Sequence, residues 1–130
     1  MEKALLIKTD GSREVLEFEV GDSYDLLSSS VGGLIECVTL DSKSVDMWVN
    51  EEGKYICEYQ NPIGTALYDD EFDAHDYIMG DIVLARSNDE GETIGLTDEQ
   101  LDLFSRYNRN LANLSVKTHP DFYTRRGQNV

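Results

Sequence analysis

The residue types able to do chemistry are concentrated in one stretch. YDDEFDAHDYIMGD (residues 68–81) places Asp69, Asp70, Glu71, Asp73 and Asp76 within eight positions, with His75 among them and no Lys or Arg between. Carboxylates at that density can ligate a hard cation, present charge to a basic partner, or solvate a loop. A calcium loop needs acids at alternating positions and Gly at the sixth. Counting back from Gly91 puts Arg86 at the first position, and from Gly53 it puts Trp48 there, so neither glycine belongs to such a loop. His75 and His119 are the only histidines, and neither has an HxxxH or HxH partner of the kind zinc uses. No metal or cofactor is expected.

Nucleophilic chemistry finds as little support. Ser28, Ser29 and Ser30 lie outside any GxSxG elbow, and Gly32-Gly33 is neither GxxxxGK[ST] nor GxGxxG. Acids are too common for spacing to single out a general acid–base pair. The chain therefore reads as a binding protein and not an enzyme, with no catalytic residues.

Charge gives the binding reading its direction. The 26 acidic and 11 basic residues leave a net charge of −15 on 130 residues. Such a charge repels nucleic acid and anionic lipid, so direct partners are neutral or basic. It is also uneven. Residues 55–105 hold thirteen acids against Arg86 alone, whereas from Arg106 onward there are five bases against Asp121. An acidic surface of this kind steers a basic protein toward it and, where carboxylates stand in rows, imitates the spacing of phosphates. Asp69, Asp70, Glu71, Asp73 and Asp76 are the expected partner-binding residues. Trp48 shares a strand face with Asp46 and Asn50, the wetter face, and is the candidate aromatic anchor. Tyr55, Tyr59 and Tyr68 are further aromatic contact candidates. The plain alternative for the acids is a solvated surface, and for Trp48 a helix or loop lying over it.

The elements that must position these residues follow from periodicity. ALLIKT and VLEFEV flank the turn Asp10-Gly11-Ser12, with Leu16, Phe18 and Val20 alternating with Glu17 and Glu19, which predicts a hairpin. A short helix through Tyr24, Leu27 and Val31, capped by Asp22 or Ser23, ends at Gly32-Gly33. LIECVTL, SVDMWV and KYICEY are expected to form a three-strand meander, with Asn50-Glu51-Glu52-Gly53 as a turn in which Gly takes positive φ. The stretch after Asn61-Pro62 reads as a long loop with a helical turn near residues 66–72. Residues 81–85 form a strand closed by the turn at residues 88–91. Thr97 and Gln100 make a capping box for a long C-terminal helix whose stripe is Leu103, Phe104, Tyr107, Leu111 and Leu114.

The fold class expected is α+β: an antiparallel sheet of five to six strands, packed by one long C-terminal helix and a short helix. The domain spans residues 1–123, and residues 124–130 fray. Cys37 and Cys57, both inside expected strands, should be buried free thiols. Across a meander they would sit about 9.6 Å apart, beyond the roughly 7 Å a disulfide tolerates. No apolar run reaches the roughly 18 residues that cross a bilayer, and the Met-Glu-Lys start is unlike a signal peptide.

Five blocks taken in order carry a family resemblance: VGGLIE (31–36), WVNEEGKY (48–55), NPIGTALY (61–68), YIMGD (77–81) and DEGETIGLTDEQ (89–100). Together they resemble a family of small uncharacterised proteins found mainly in bacteriophages and mobile elements, over roughly residues 1–104. The resemblance implies action in the host cytoplasm and brings no catalytic residue. The expected function is a phage accessory protein that binds and inhibits or modulates a basic host protein, with nucleic-acid charge mimicry as its strong form. The alternative is a small-molecule or nucleotide binder with a pocket built from strand faces and the NPIGTALY segment, Arg86 or the basic tail meeting the ligand's negative charge.

Overall fold

The first hairpin forms where the alternation places it. In the computed structural model, which describes residues 1–74 and 76–107, β1 (Glu2–Ile7) pairs antiparallel with β2 (Arg13–Phe18), setting Ala4 opposite Leu16 and Glu2 opposite Phe18. Leu16 and Phe18 are buried and Glu17 is exposed, the period of two that a strand imposes. Asp10 fixes the turn by accepting the Ser12 N–H at 2.8 Å, with Gly11 at φ 88°. α1 (Tyr24–Val31) buries Leu27 and Val31 and ends at Gly32, whose N–H donates to the Ser28 carbonyl.

β3 (Ile35–Leu40) and β4 (Val45–Asn50) pair along their whole length, joined by a 3₁₀ turn, Asp41–Lys43. The expected third strand of the meander does not form. KYICEY instead gives a short helix, α2 (Gly53–Ile56), and an irregular stretch that leaves Tyr55, Ile56 and Tyr59 exposed. The free side of β4 is taken by β5 (Ile82–Ser87), which pairs Trp48 with Val83 and Asp46 with Ala85. Ile82, Val83, Leu84 and Ala85 are all fully buried. An apolar run with both faces covered belongs at the centre of a sheet, and this one joins the two hairpins in the order β2-β1-β5-β4-β3. The cysteine expectation changes with it: Cys57 lies outside any strand, Cys37 is exposed, and both thiols are free.

β6 (Thr93–Ile94) pairs with the end of β5. Just beyond it, Gly95 passes β1 so closely that a Cβ would lie 2.4 Å from the Lys3 nitrogen. The Leu96 N–H donates to the Lys3 carbonyl at 2.8 Å.

Where a long loop with a helical turn near residues 66–72 was expected, the helix is longer and starts earlier, as α3 (Pro62–Phe72). Its start is encoded by Asn61, whose side chain accepts the Gly64 N–H at 2.9 Å, and by Pro62 in the first turn, where a missing N–H costs nothing. α4 (Asp98–Arg106) carries the expected capping box between Thr97 and Gln100. Phe104 and Tyr107 are buried while Leu103 is 49% exposed; Leu111, Leu114 and the expected frayed tail lie outside the described residues.

The fold is thus α+β around a six-stranded antiparallel sheet. One face packs Leu5, Ile7, Met47 and Leu84 against Leu67 of α3 and Phe104 of α4. The other packs Ala4, Leu6, Phe18 and Val83 against Leu27 and Val31 of α1. Among the described residues no helix is long and apolar enough to cross a membrane.

Candidate functional site

Asp69, Asp70 and Glu71 fall in the last turn of α3, at the end where the helix dipole is negative. Acids there are disfavoured unless a cation offsets them. Lys43, at the end of the 3₁₀ turn, supplies it: its Nζ lies 2.6 Å from Asp70 and 3.8 Å from Glu71. Glu71 also accepts from the Ser42 hydroxyl at 2.5 Å and the Ser42 N–H at 3.2 Å. Asp73 caps the helix in the left-handed region at φ 49°, its N–H donating to the Asp69 carbonyl at 2.8 Å. Farther on, Asp76 pairs with Lys54 and accepts the Tyr77 N–H at 3.0 Å.

A stretch with no base beside it in sequence is therefore met by two lysines in space. Asp69 and Asp73 are engaged as well. The cluster fastens the end of α3 to the β3–β4 turn. Among the described residues no three His, Cys, Asp or Glu side chains gather closely enough to hold a metal ion. His75 lies outside the described residues.

Trp48 does not stand open on a wet face. It is half-buried against the cluster that includes Leu27 and Val31, and its indole N–H is buried with no partner among the described residues. Asp46, expected beside it in solvent, is buried at 7% exposure and accepts the Ser87 hydroxyl. Desolvation of the sulfur and the nearby Asp46 carboxylate push the Cys37 thiol up to about 11, so at neutral pH it is protonated and a poor nucleophile.

Beside the acidic stretch runs a groove of about 230 Å³. Glu36 and Val38 of β3 line it together with Glu51, Tyr68, Asp76 and Tyr77. Tyr68 is partly buried and packs on Phe72, with ring centroids 4.8 Å apart. The carboxylates of Glu36 and Glu51 are far from residues 69–76 in sequence. The signal that could have found them is the strand alternation, which sets Glu36 on the same face as Val38. Arg86, offered as an anion contact, has its Nε committed to the Gly95 carbonyl at 2.6 Å.

The blocks that carry the family resemblance build the fold. Asn50 donates to the Val31 carbonyl at 3.1 Å and accepts the Glu52 N–H at 2.8 Å, while Gly33 leaves room for its amide. Gly53 holds no positive φ; it is needed because a Cβ would meet the Met79 carbonyl at 3.0 Å. Asn61 donates to the carbonyls of Ile7 at 3.0 Å and Gly80 at 2.9 Å. At Gly80 a Cβ would meet the Cys57 sulfur at 2.7 Å.

Fold and surface define an acidic α+β domain, with polar hubs such as Asn50 and Asn61 inside and, Asp46 apart, its described carboxylates outside. The chain belongs to the family described as a domain of unknown function (DUF3846), which it matches over residues 1–111. No curated protein and no solved structure matches it significantly.

Proposed function

We propose that the protein is a non-enzymatic phage or mobile-element accessory protein that acts in the host cytoplasm, binding and inhibiting or modulating a host protein through a basic surface of that host protein. One observation carries the reading. The described residues hold 25 acids against 7 bases, a net of −18, and of those acids only Asp46 is buried. A field of that sign, borne on the surface, speeds encounter with basic proteins and suppresses acidic ones. The origin rests on the block resemblance alone.

Charge mimicry of nucleic acid is the strong form of this reading, and Lys43 and Lys54 bear on it by interrupting the densest run. The nucleotide-binding alternative loses support at the groove, where Glu36, Glu51 and Asp76 would repel phosphate.

Affinity purification of the tagged protein from host lysate at low and then high salt, followed by mass spectrometry, tests the proposal. Recovery of a basic protein that leaves as salt rises is the expected result. A partner that is acidic, or that binds independently of salt, overturns it.

A further inference from the structure

β3 is an edge strand whose six residues all pair with β4 on one side. Among the described residues no backbone hydrogen bond from outside the sheet and the adjoining 3₁₀ turn reaches its backbone. Exposed edges are normally blunted by Lys, Pro or a bulge. IECVTL has none of these, and Glu36 is its single charge. The opposite edge, β2, carries Arg13, Glu14 and Glu17.

The groove opens beside Glu36 and Val38 of this strand, with Val49 and Asn50 of β4 also lining it. Glu36 and Val38 lie on the sheet face that Val49 shares, and together they wall the groove opposite Tyr68 and Tyr77. Three carboxylates, from Glu36, Glu51 and Asp76, face it against one base, Lys54, itself paired with Asp76.

We propose that β3 accepts an extended basic segment of a partner protein as an added strand, with Lys or Arg side chains at alternate positions entering the groove beside Glu36. The inference rests on the acidic-recognition reading above. A strand added about 4.8 Å from β3 places every second side chain on the groove face. The side chains between them meet Cys37 and Thr39, both exposed on the other face. Backbone pairing supplies affinity, and alternate side chains supply selectivity. A Lys or Arg stem packs along Val38 and Tyr68 while its head reaches the carboxylates. A second copy of this chain is a poor occupant, because its own net charge of −15 opposes the approach.

The test uses two fluorescein-labelled peptides of one composition, one alternating Lys with Val and Thr, the other with its lysines contiguous. Fluorescence anisotropy measures affinity, and hydrogen exchange followed by NMR measures protection of residues 35–40. The alternating peptide should bind at least tenfold tighter and slow exchange along β3. Glu36→Lys should weaken it at least tenfold, while Glu17→Lys on the far edge changes it little. Equal affinity of the two peptides, unprotected β3 amides, or sedimentation showing β3 occupied by a second copy would each overturn the proposal. A basic host protein that binds in a salt-dependent way without protecting β3 would sink this inference and leave acidic recognition standing; absence of binding by any basic ligand would sink both.

Discussion

Lys43 Nζ lies 2.6 Å from Asp70, and this ion pair fastens the β3–β4 turn to the last turn of α3. Their side chains are 17% and 30% exposed, and Glu71, which shares the lysine, is 10% exposed. Lys43→Gln leaves carboxylates crowded at the negative end of a helix, and should cost about 1 kcal/mol in urea unfolding, with the loss shrinking as salt is added. Combining it with Asp70→Asn should recover part of the loss. Full additivity of the two changes would mean that the pair contributes nothing.

Asn61 tests the interior in the same way. It is completely buried, donates to two carbonyls from different parts of the chain and accepts the Gly64 N–H. Asn61→Ala strands all three groups and should cost at least about 3 kcal/mol, since each unsatisfied buried group costs about 1–3 kcal/mol. Asn61→Asp points an acid at two acceptor oxygens, which disfavours its ionised form and raises its folded pKa. Its stability should be greatest at acidic pH and fall as pH rises above about 4, the ordinary carboxylate value. A pH-independent Asn61→Asp would remove the assignment of these donors.

Two glycines near the C-terminal helix separate steric need from backbone conformation. At Gly95 the obstacle to a Cβ is the Lys3 backbone at 2.4 Å and 2.9 Å, which cannot swing away. Gly91, at φ 82°, has open space around it. Gly95→Ala should therefore cost about 3 kcal/mol through displacement of β1, and Gly91→Ala about 1 kcal/mol through left-handed backbone strain. Thermal unfolding of the two variants side by side checks the ordering. Equal losses would mean that β1 yields.

What the sequence made legible is what short range decides. The Asp10-Gly11 turn, the Gly32 stop of α1 and the Thr97–Gln100 box depend on neighbours within a few residues, and each forms as read. The meander failed because the alternation in KYICEY states a preference for a neighbour without naming one, and the space beside β4 went to the more apolar β5. The start of α3 was legible in Asn61-Pro62, but the acids that follow obscured the helix. The acidic cluster was visible as composition. Its lysines were not, because Lys43 is 27 residues from Asp70 and Lys54 is 22 from Asp76. The groove needed the pairing of β3 with β4 before Glu36 and Tyr68 could be seen to face one space.

Cys37 gives the last prediction, since its environment is a consequence of pairing alone. The register sets Cys37 beside Trp48 and Thr39 beside Asp46, bringing a carboxylate near the thiol. Desolvation and that carboxylate raise the thiol to about 11 from its ordinary value of 9.0. The thiolate is the reactive form, so alkylation by iodoacetamide should be slow at neutral pH and keep rising past pH 10. Asp46→Asn removes the charge while an amide oxygen still accepts the Ser87 hydroxyl, so the Cys37 pKa should fall and alkylation at a fixed pH near 9 should quicken. The Cys57 thiol is also raised, by desolvation and then by the Asp81 charge. It is remote from Asp46 in the fold, so its rate in Asp46→Asn should match the parent protein, and peptide mapping of the alkylated sites reads both at once. If Cys37 reacts at the same rate in parent and variant, burial alone raises the thiol and the Asp46 carboxylate contributes nothing to it.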